Sequence, residues 1–182
     1  MIAGLYGMAD SGFGDPLAQA RLLADEGVSP IQLRCKGWPR TAVRQLALDC
    51  GGLGPTIIVN DDAQLAAELG LVAHLGDTDG PGRGPHGRST HTLGQVSAED
   101  NAVYIGFGPV FETGTKRSGW SPRGLASLAD AVRVSRRPVV AIGGINLANL
   151  EGVRAAGAAG WAAVGAIWMA ADPRAVIRAM RR

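Results

Sequence analysis

The strongest constraint on the fold is an alternation of apolar, strand-like runs with amphipathic helical segments along nearly all of the 182 residues. Unbroken apolar strands are typical of parallel sheets whose two faces are both covered by helices. Eight strand–helix units without a second domain favour a (β/α)8 TIM barrel over an open doubly wound sheet. The expected strands are Leu5–Ala9, Ile31–Cys35, Thr56–Val59, Val72–Leu75, Arg88–His91, Val103–Val110, Pro138–Ile142 and Ala162–Ile167.

Helix boundaries are marked by capping residues, prolines and glycines, as where Asp15-Pro16 opens the first helix and Gly27 closes it. One interval breaks the pattern, because residues 77–87 (DTDGPGRGPHG) contain no large apolar side chain. The helix after the fourth strand is therefore predicted to be missing, in a chain shorter than the roughly 250 residues typical of this barrel. Further helices are expected over Pro39–Asp49 and Asp62–Leu69, from Ser121-Pro122, from Asn146 to Gly157, and from Asp172-Pro173.

Composition and charge limit the class of function. The net charge is only +2 and the basic residues are scattered, which argues against a nucleic-acid partner. No apolar run approaches the roughly 18 residues of a membrane span, and the N-terminus does not resemble a signal peptide. The two cysteines form no CxxC pair, so a reducing cytoplasm is the expected location. Residues 1–182 are expected to form one soluble domain. Trp120 and Trp168 are candidates for a contact in a homo-oligomer, although packed aromatics are equally ordinary.

The second strand carries the most unusual pattern. Gln32, Arg34 and Lys36 are spaced by two, so they share one face of the strand. The alternating Leu33 and Cys35 suit the side that packs on helices, which places an amide and two cations inside the barrel. An interior of this kind predicts a phosphate or diphosphate clamp. The alternative is an edge strand with solvated charges.

Carboxylates follow the third and fourth strands. In "VNDD" Asp62 is a candidate helix N-cap, which leaves Asp61 to face the site, next to Asn60. In "HLGDTDG" either Asp77 or Asp79 supplies a second carboxylate. Two carboxylates facing cations and a phosphate suit Mg²⁺, which prefers oxygen ligands and bridges to phosphate oxygens.

Polar and glycine-rich segments follow the remaining strands. Ser89 and His91 share a face of the fifth strand, where either is a core group or a site residue. The sixth strand leads into Thr113, Thr115 and Lys116, which form either a polar turn or a ligand loop. The glycines Gly143, Gly144 and Gly165 follow or lie in the seventh and eighth strands, where barrels of this type frequently bind a phosphate.

Six segments in this order resemble the motifs of the thiamine phosphate synthase family, which also includes thiazole tautomerases. They are QLRCK, VNDD, HLGDTD, RSTHT, YIGFGPVFETGTK and VVAIGGI. The resemblance covers about residues 5–172. Any one segment is weakly specific, whereas six in order are highly specific.

The resemblance implies a Mg²⁺-dependent transferase of thiamine biosynthesis. It would join hydroxymethylpyrimidine diphosphate to a thiazole phosphate and release diphosphate. Arg34, Lys36 and Lys116 would then assist the leaving diphosphate, and Asp61 and Asp79 would hold Mg²⁺. The implied binding residues are Gln32, Leu33, Arg34, Cys35, Lys36, Asn60, Ser89 and Lys116 for the pyrimidine diphosphate, and Thr113, Thr115, Gly144, Val164 and Gly165 for the thiazole phosphate.

The chain also departs from the family pattern, and two alternatives stay open. The missing helix lies directly after Asp79, and Gly165 stands where the family usually has serine. These departures motivate the alternative of a non-catalytic phosphate-binding barrel. A thiazole tautomerase is the other alternative, but that branch resembles a histidine-based catalyst, and the matching position here is Pro109.

Overall fold

Nine parallel strand segments form one sheet in the computed structural model, which describes residues 2–114 and 119–181. The sheet order is β1-β9-β8-β7-β6-β5-β4-β3-β2. The segments β1 and β2 are two parts of the first strand, separated by Tyr6, and they pair with β9 and β3 respectively. The two ends of the sheet therefore meet in the first strand, and the sheet closes into the expected (β/α)8 barrel.

The described elements alternate as the sequence predicts. The strands are β1 (Gly4–Leu5), β2 (Gly7–Asp10), β3 (Ile31–Arg34), β4 (Ile57–Asn60), β5 (Val72–Leu75), β6 (His86–Thr90), β7 (Tyr104–Phe107), β8 (Val139–Ile142) and β9 (Gly160–Ala162). The helices are α1 (Pro16–Asp25), α2 (Arg40–Cys50), α3 (Ala63–Glu68), α4 (Leu93–Ala98), α5 (Gly124–Val134), α6 (Leu150–Ala155), α7 (Val164–Trp168) and α8 (Pro173–Arg181).

The prediction of a missing helix is confirmed. All residues between β5 and β6 are described, and they form turns and bends but no helix. The segment has no apolar stripe with which a helix could pack on the barrel.

The predicted eighth strand, Ala162–Ile167, was wrong at both ends, and it shares only Ala162 with the observed strand β9 (Gly160–Ala162). The strand β9 ends at Ala162, and Val164 begins the short helix α7. A short apolar run does not distinguish a buried strand from a buried helix, and here the run contains both.

Helix starts also differ from the predictions. The helix expected from Asn146 begins at Leu150, because Asn146 and Asn149 form a turn in which each side chain accepts a backbone N–H. The helix expected from Ser121-Pro122 begins at Gly124. The helix α4 was not predicted, although Thr92 and Gln95 form a capping box at its start.

Two apolar layers hold the barrel together. Between the strands and the helices lies a large cluster that includes Leu23, Ile31, Leu33 and Leu128. Inside the barrel, a second cluster fills the space below the C-terminal ends of the strands. Its buried members are Tyr6, Met8, Ile58, Tyr104, Val140 and Ala162.

In the described ranges, none of the helices has the length and apolar character needed to cross a membrane.

Candidate active site

A small cavity of about 70 Å³ lies inside the barrel, above the inner apolar layer. The amide of Gln32, the guanidinium of Arg34 and the ammonium of Lys36 all line it, as the spacing by two predicts. Asn60 and Ser89 complete its polar wall from β4 and β6. Alternation along β3 and into the turn that follows it thus brings an amide and two cations to the cavity. The edge-strand alternative is wrong, because β3 pairs with both β2 and β4.

A chain of hydrogen bonds forms the floor of this cavity. The hydroxyls of Tyr6 and Tyr104 are 2.7 Å apart. The Tyr104 hydroxyl also lies 2.7 Å from Nδ1 of His74, whose Nε2 is 3.0 Å from the hydroxyl of Ser89. Burial raises the pKa of both tyrosines, so both hydroxyls keep their protons. The floor is therefore apolar in its bulk but presents fixed donors and acceptors.

Arg34 is held by a buried carboxylate from the first strand. Its Nη1 donates to Oδ2 of Asp10 at 2.6 Å, and Asp10 is only 4% exposed. The other oxygen of Asp10 accepts the backbone N–H of Gly12 at 2.9 Å, and the side-chain oxygen of Gln19 accepts the backbone N–H of Asp10 at 2.7 Å. Asp10 thus has a fixed orientation, and so does the guanidinium that it binds.

Lys36 pairs with Asp61 at the mouth of the cavity. Asp61 has a left-handed backbone with φ of 64°, which is uncommon outside glycine, and its N–H donates to the carbonyl of His74 at 2.8 Å. Asp62 caps α3 by accepting the backbone N–H of Leu65, as the sequence predicts. The turn thereby separates two adjacent acids, with one directed to the helix and the other to the cavity.

A second, larger cavity of about 850 Å³ adjoins the first. The two cavities share part of their walls, including Met8, Arg34 and Ser89. The rest of the larger cavity's wall comes mainly from the loops after β7 and β8 and from the start of α7, which contribute Thr113, Gly144, Val164 and Gly165, and also from residues after β2 and β6. Arg34 therefore faces both spaces.

Gly144 shows why the loop after β8 needs glycine. Its φ is +66°, and a Cβ at this position would come within 2.2 Å of the carbonyl oxygen of Glu112. The loops after β7 and β8 can pack this closely only without a side chain here. Val164 and Gly165 lie in the first turn of α7, whose N–H groups have no acceptor within the helix.

The sequence model of the family described as "Thiamine monophosphate synthase" matches residues 5–167. The chain belongs to this family. The thiamine-phosphate synthase of Anaeromyxobacter dehalogenans is 41% identical over 197 residues, covering 99% of this chain and 87% of that protein. The thiamine-phosphate synthase of Laribacter hongkongensis is 39% identical, covering 84% of this chain and 79% of that protein.

A solved structure supports the same relationship. The thiamine phosphate pyrophosphorylase from Pyrococcus furiosus superimposes with a TM-score of 0.84 at 27% identity. The superposition covers 98% of this chain and 93% of that chain. The barrel and the ordered motifs of the thiamine monophosphate synthase family are therefore present together.

Some of the residues expected from the family motifs lie away from the two cavities. Leu33 is 1% exposed and packs on the helix side of β3, and Cys35 packs against the same cluster. Their side chains do not line either cavity, so a substrate contact there would have to use the backbone. Asp79 lies in the loop after β5, exposed and outside both cavity walls. Thr115 and Lys116 fall outside the described residues.

The thiol of Cys35 is not activated, although it lies between two cations in sequence. Burial, and then the charge of Asp10, raise its pKa to about 11. The buried Cys50 likewise has its pKa raised to about 11 by burial. Both thiols are thus protonated near neutral pH, and neither has the character of a nucleophile.

Sequence reasoning missed four polar residues of the site. Tyr6, Asp10, His74 and Tyr104 were assigned only to strands or loops. A signal was available for two of them, because Tyr6, Met8 and Asp10 repeat the spacing by two of the neighbouring strand. For His74 and Tyr104 the two strands read as ordinary apolar runs, and the contact between them depends on pairing through β6.

Proposed function

We propose that this protein is a thiamine phosphate synthase. In this reaction the hydroxymethylpyrimidine group moves from its diphosphate to the nitrogen of a thiazole phosphate, giving thiamine phosphate and diphosphate. The observation that carries the proposal is the pair of adjoining cavities with Arg34 in their shared wall. Two substrates can then meet beside a cation that faces the bond to be broken. Membership of the family supports the same reaction.

The small cavity suits the aminopyrimidine ring. Gln32 offers an amide, Asn60 offers a second one, and the hydroxyl of Ser89 is oriented by His74. These groups can hydrogen-bond to the ring nitrogens and the exocyclic amine, while Met8 and Val140 provide an apolar wall. The ring would be held in one orientation, with its exocyclic CH₂ directed toward the larger cavity.

The diphosphate would be bound by the cations at the end of β3 and in the turn after it. The guanidinium of Arg34 is oriented by Asp10, and the ammonium of Lys36 lies at the cavity mouth. Both favour the negative charge that develops as the carbon–oxygen bond breaks. The aminopyrimidine can stabilise positive charge at its CH₂ group, so the diphosphate can leave before the thiazole nitrogen attacks. A reaction in this order requires no strong general base. Lys116 would be a further cation that stabilises the leaving diphosphate.

The donor set also fits Mg²⁺. Within residues 2–114 and 119–181, no group of three or more His, Cys, Asp and Glu side chains could hold a metal ion by itself. Mg²⁺ commonly uses one or two carboxylates together with phosphate oxygens and water, which is what Asp61 and Asp79 could provide. Asp61 already pairs with a cation, the ammonium of Lys36. When bound, Mg²⁺ would neutralise charge on the departing diphosphate.

The thiazole phosphate would occupy the larger cavity. Its phosphate group could accept hydrogen bonds from the backbone at Gly144, Val164 and Gly165, with Thr113 and Thr115 as side-chain donors. Gly165 supplies a backbone N–H but no hydroxyl. We expect the site to depend mainly on backbone donors, which position the nitrogen toward the pyrimidine carbon.

The two free thiols further support a reducing, cytoplasmic location.

The proposal is tested by diphosphate release with both substrates and Mg²⁺. Release should require both substrates and the metal, and Arg34→Ala should lower turnover by about 100-fold or more. Arg136→Ala is the matched control, because Arg136 is an exposed arginine that pairs with Asp100 away from the cavities. Unchanged turnover in Arg34→Ala would show that the clamp interpretation is wrong. Metal-independent binding of the substrates without diphosphate release would favour the non-catalytic barrel.

A further inference from the structure

The loop that replaces the missing helix is organised around Arg88, a residue that the proposed reaction does not use. Arg88 lies in β6 beside Ser89. Ser89 faces the small cavity, so Arg88 faces the outside of the barrel, where a helix after β5 would otherwise pack. Arg88 is nevertheless only 9% exposed. A buried guanidinium on the outer face of a strand requires partners.

Those partners are backbone carbonyls of the loop. Nη1 of Arg88 donates to the carbonyl of Gly76 at 2.8 Å and to that of Asp79 at 2.9 Å. Nη2 donates to the carbonyl of Gly80 at 3.0 Å. One planar group with a rigid set of donors thus holds three carbonyls of a five-residue segment.

The charge of Arg88 is balanced by Glu99, at the C-terminal end of α4. Nε of Arg88 is 3.3 Å from Oε2 of Glu99. The other oxygen of Glu99 accepts the backbone N–H groups of Asn101 and Ala102 at 3.1 and 3.0 Å. Glu99 is therefore fixed by the chain after α4, and it can anchor Arg88 while Arg88 anchors the loop.

The same segment orients the carboxylate of Asp79. Oδ2 of Asp79 accepts the backbone N–H of Gly76 at 2.6 Å, and the backbone N–H of Asp79 points back to the carbonyl of Gly76 at 3.3 Å. Arg88 binds the carbonyls of both residues, so it fixes both ends of this small turn. The bond to Gly76 uses Oδ2 and fixes the orientation of the carboxylate that would help to hold a metal ion.

We infer that Arg88 is a positioning residue for the metal site, and that its guanidinium replaces the missing helix in holding the loop that carries Asp79. A loop without large apolar side chains cannot be held by packing, so hydrogen bonds to its carbonyls have to do so. The inference rests on the proposed function, because it assigns Arg88 to the Mg²⁺ ligand Asp79. Residues that orient metal ligands typically change metal affinity about 10- to 100-fold when they are replaced.

Arg88→Lys is the informative variant, because lysine keeps the charge beside Glu99 but lacks the planar fork. Two measurements need no turnover. Hydrogen exchange of the free protein reports whether residues 76–80 are held, and electron paramagnetic resonance of Mn²⁺ with inorganic diphosphate reports metal binding. Arg136→Lys is the control for the same substitution in an exposed pair with Asp100. If Arg88→Lys does not give folded protein, Arg88→Met replaces it as the test variant.

Arg88→Lys should speed exchange at residues 76–80 and raise the Kd for Mn²⁺ about 10-fold. The Mg²⁺ concentration for half-maximal diphosphate release should rise similarly, with kcat at saturating Mg²⁺ nearly unchanged. Asp79→Asn should weaken Mn²⁺ binding without loosening the loop to the same extent. The double variant Arg88→Lys/Asp79→Asn should bind Mn²⁺ no more weakly than Asp79→Asn, because Arg88 acts only through Asp79.

An unchanged Kd for Mn²⁺ in Arg88→Lys would overturn the inference, even if the loop exchanged faster. So would additive losses in the double variant, or a loss confined to kcat at saturating Mg²⁺. Absence of turnover in the unmodified protein would instead contradict the proposed function. The exchange and Mn²⁺ measurements would still decide the role of Arg88 in that case.

Discussion

Lys36 and Asp61 form an ion pair that gives an unusual prediction: one substitution should impair catalysis and at the same time strengthen metal binding. The two side chains are 55% and 41% exposed. Lys36→Met keeps the length and apolar stem of the side chain but removes its charge. Asp61 then loses the cation with which a metal ion would have to compete.

Both magnitudes follow from the structure. At this exposure a water-like dielectric applies, and a unit charge about 4 Å away contributes about 1 kcal/mol. Since about 1.4 kcal/mol corresponds to a tenfold change, Lys36→Met should lower the Kd of the free protein for Mn²⁺ about fivefold. Loss of one charged donor to the leaving diphosphate should lower kcat by about 100- to 1,000-fold.

Metal titration without substrates and initial rates at saturating Mg²⁺ test the two effects separately. Arg40→Met is the matched control, because Arg40 pairs with Asp62 and Glu68, next to the site but outside both cavity walls. It should leave kcat unchanged. Weaker metal binding in Lys36→Met, or a turnover equal to that of the Arg40→Met control, would refute this account of the pair.

Two further predictions concern the cavity floor and the thiols. Tyr104→Phe should lower the free energy of unfolding in urea by about 2–4 kcal/mol, because it removes the hydrogen bonds of Tyr104 to both Tyr6 and His74, whereas Ser89→Ala removes only the hydrogen bond between Ser89 and His74 and should cost about half as much. Equal losses would contradict the chain of hydrogen bonds. Alkylation of Cys35 by iodoacetamide should be slow at pH 7 and should accelerate as the pH rises toward its pKa of about 11. Rapid reaction at pH 7 would contradict that pKa.

The sequence predicted the barrel because strand periodicity and helix signals are local. The spacing by two was sufficient to predict that Gln32, Arg34 and Lys36 face the interior. The helix start after Asp62 was sufficient to predict that Asp62 caps the helix and that Asp61 faces the site. The absence of apolar side chains was sufficient to predict the missing helix. Each of these inferences needs only the residue types within a few positions.

The parts that were missed depend on contacts between distant segments. Asp10 reaches Arg34, which is 24 residues away, through the pairing of β2 with β3. Tyr104 meets Tyr6 across the barrel, 98 residues away. The end of β9 was missed for a different reason, since the apolar run continues unbroken from strand into helix. Spacing by two could have directed Tyr6 and Asp10 into the barrel, but no local pattern indicates which distant residues they contact.

The central claim is that two substrates meet beside Arg34 and are joined there. Its most direct test is mass spectrometry of the products formed from hydroxymethylpyrimidine diphosphate and the thiazole phosphate with Mg²⁺. Thiamine phosphate and diphosphate should appear in equal amounts, and neither should form when one substrate is omitted. A rearranged thiazole with the pyrimidine diphosphate intact, or diphosphate released without thiamine phosphate, would contradict the claim.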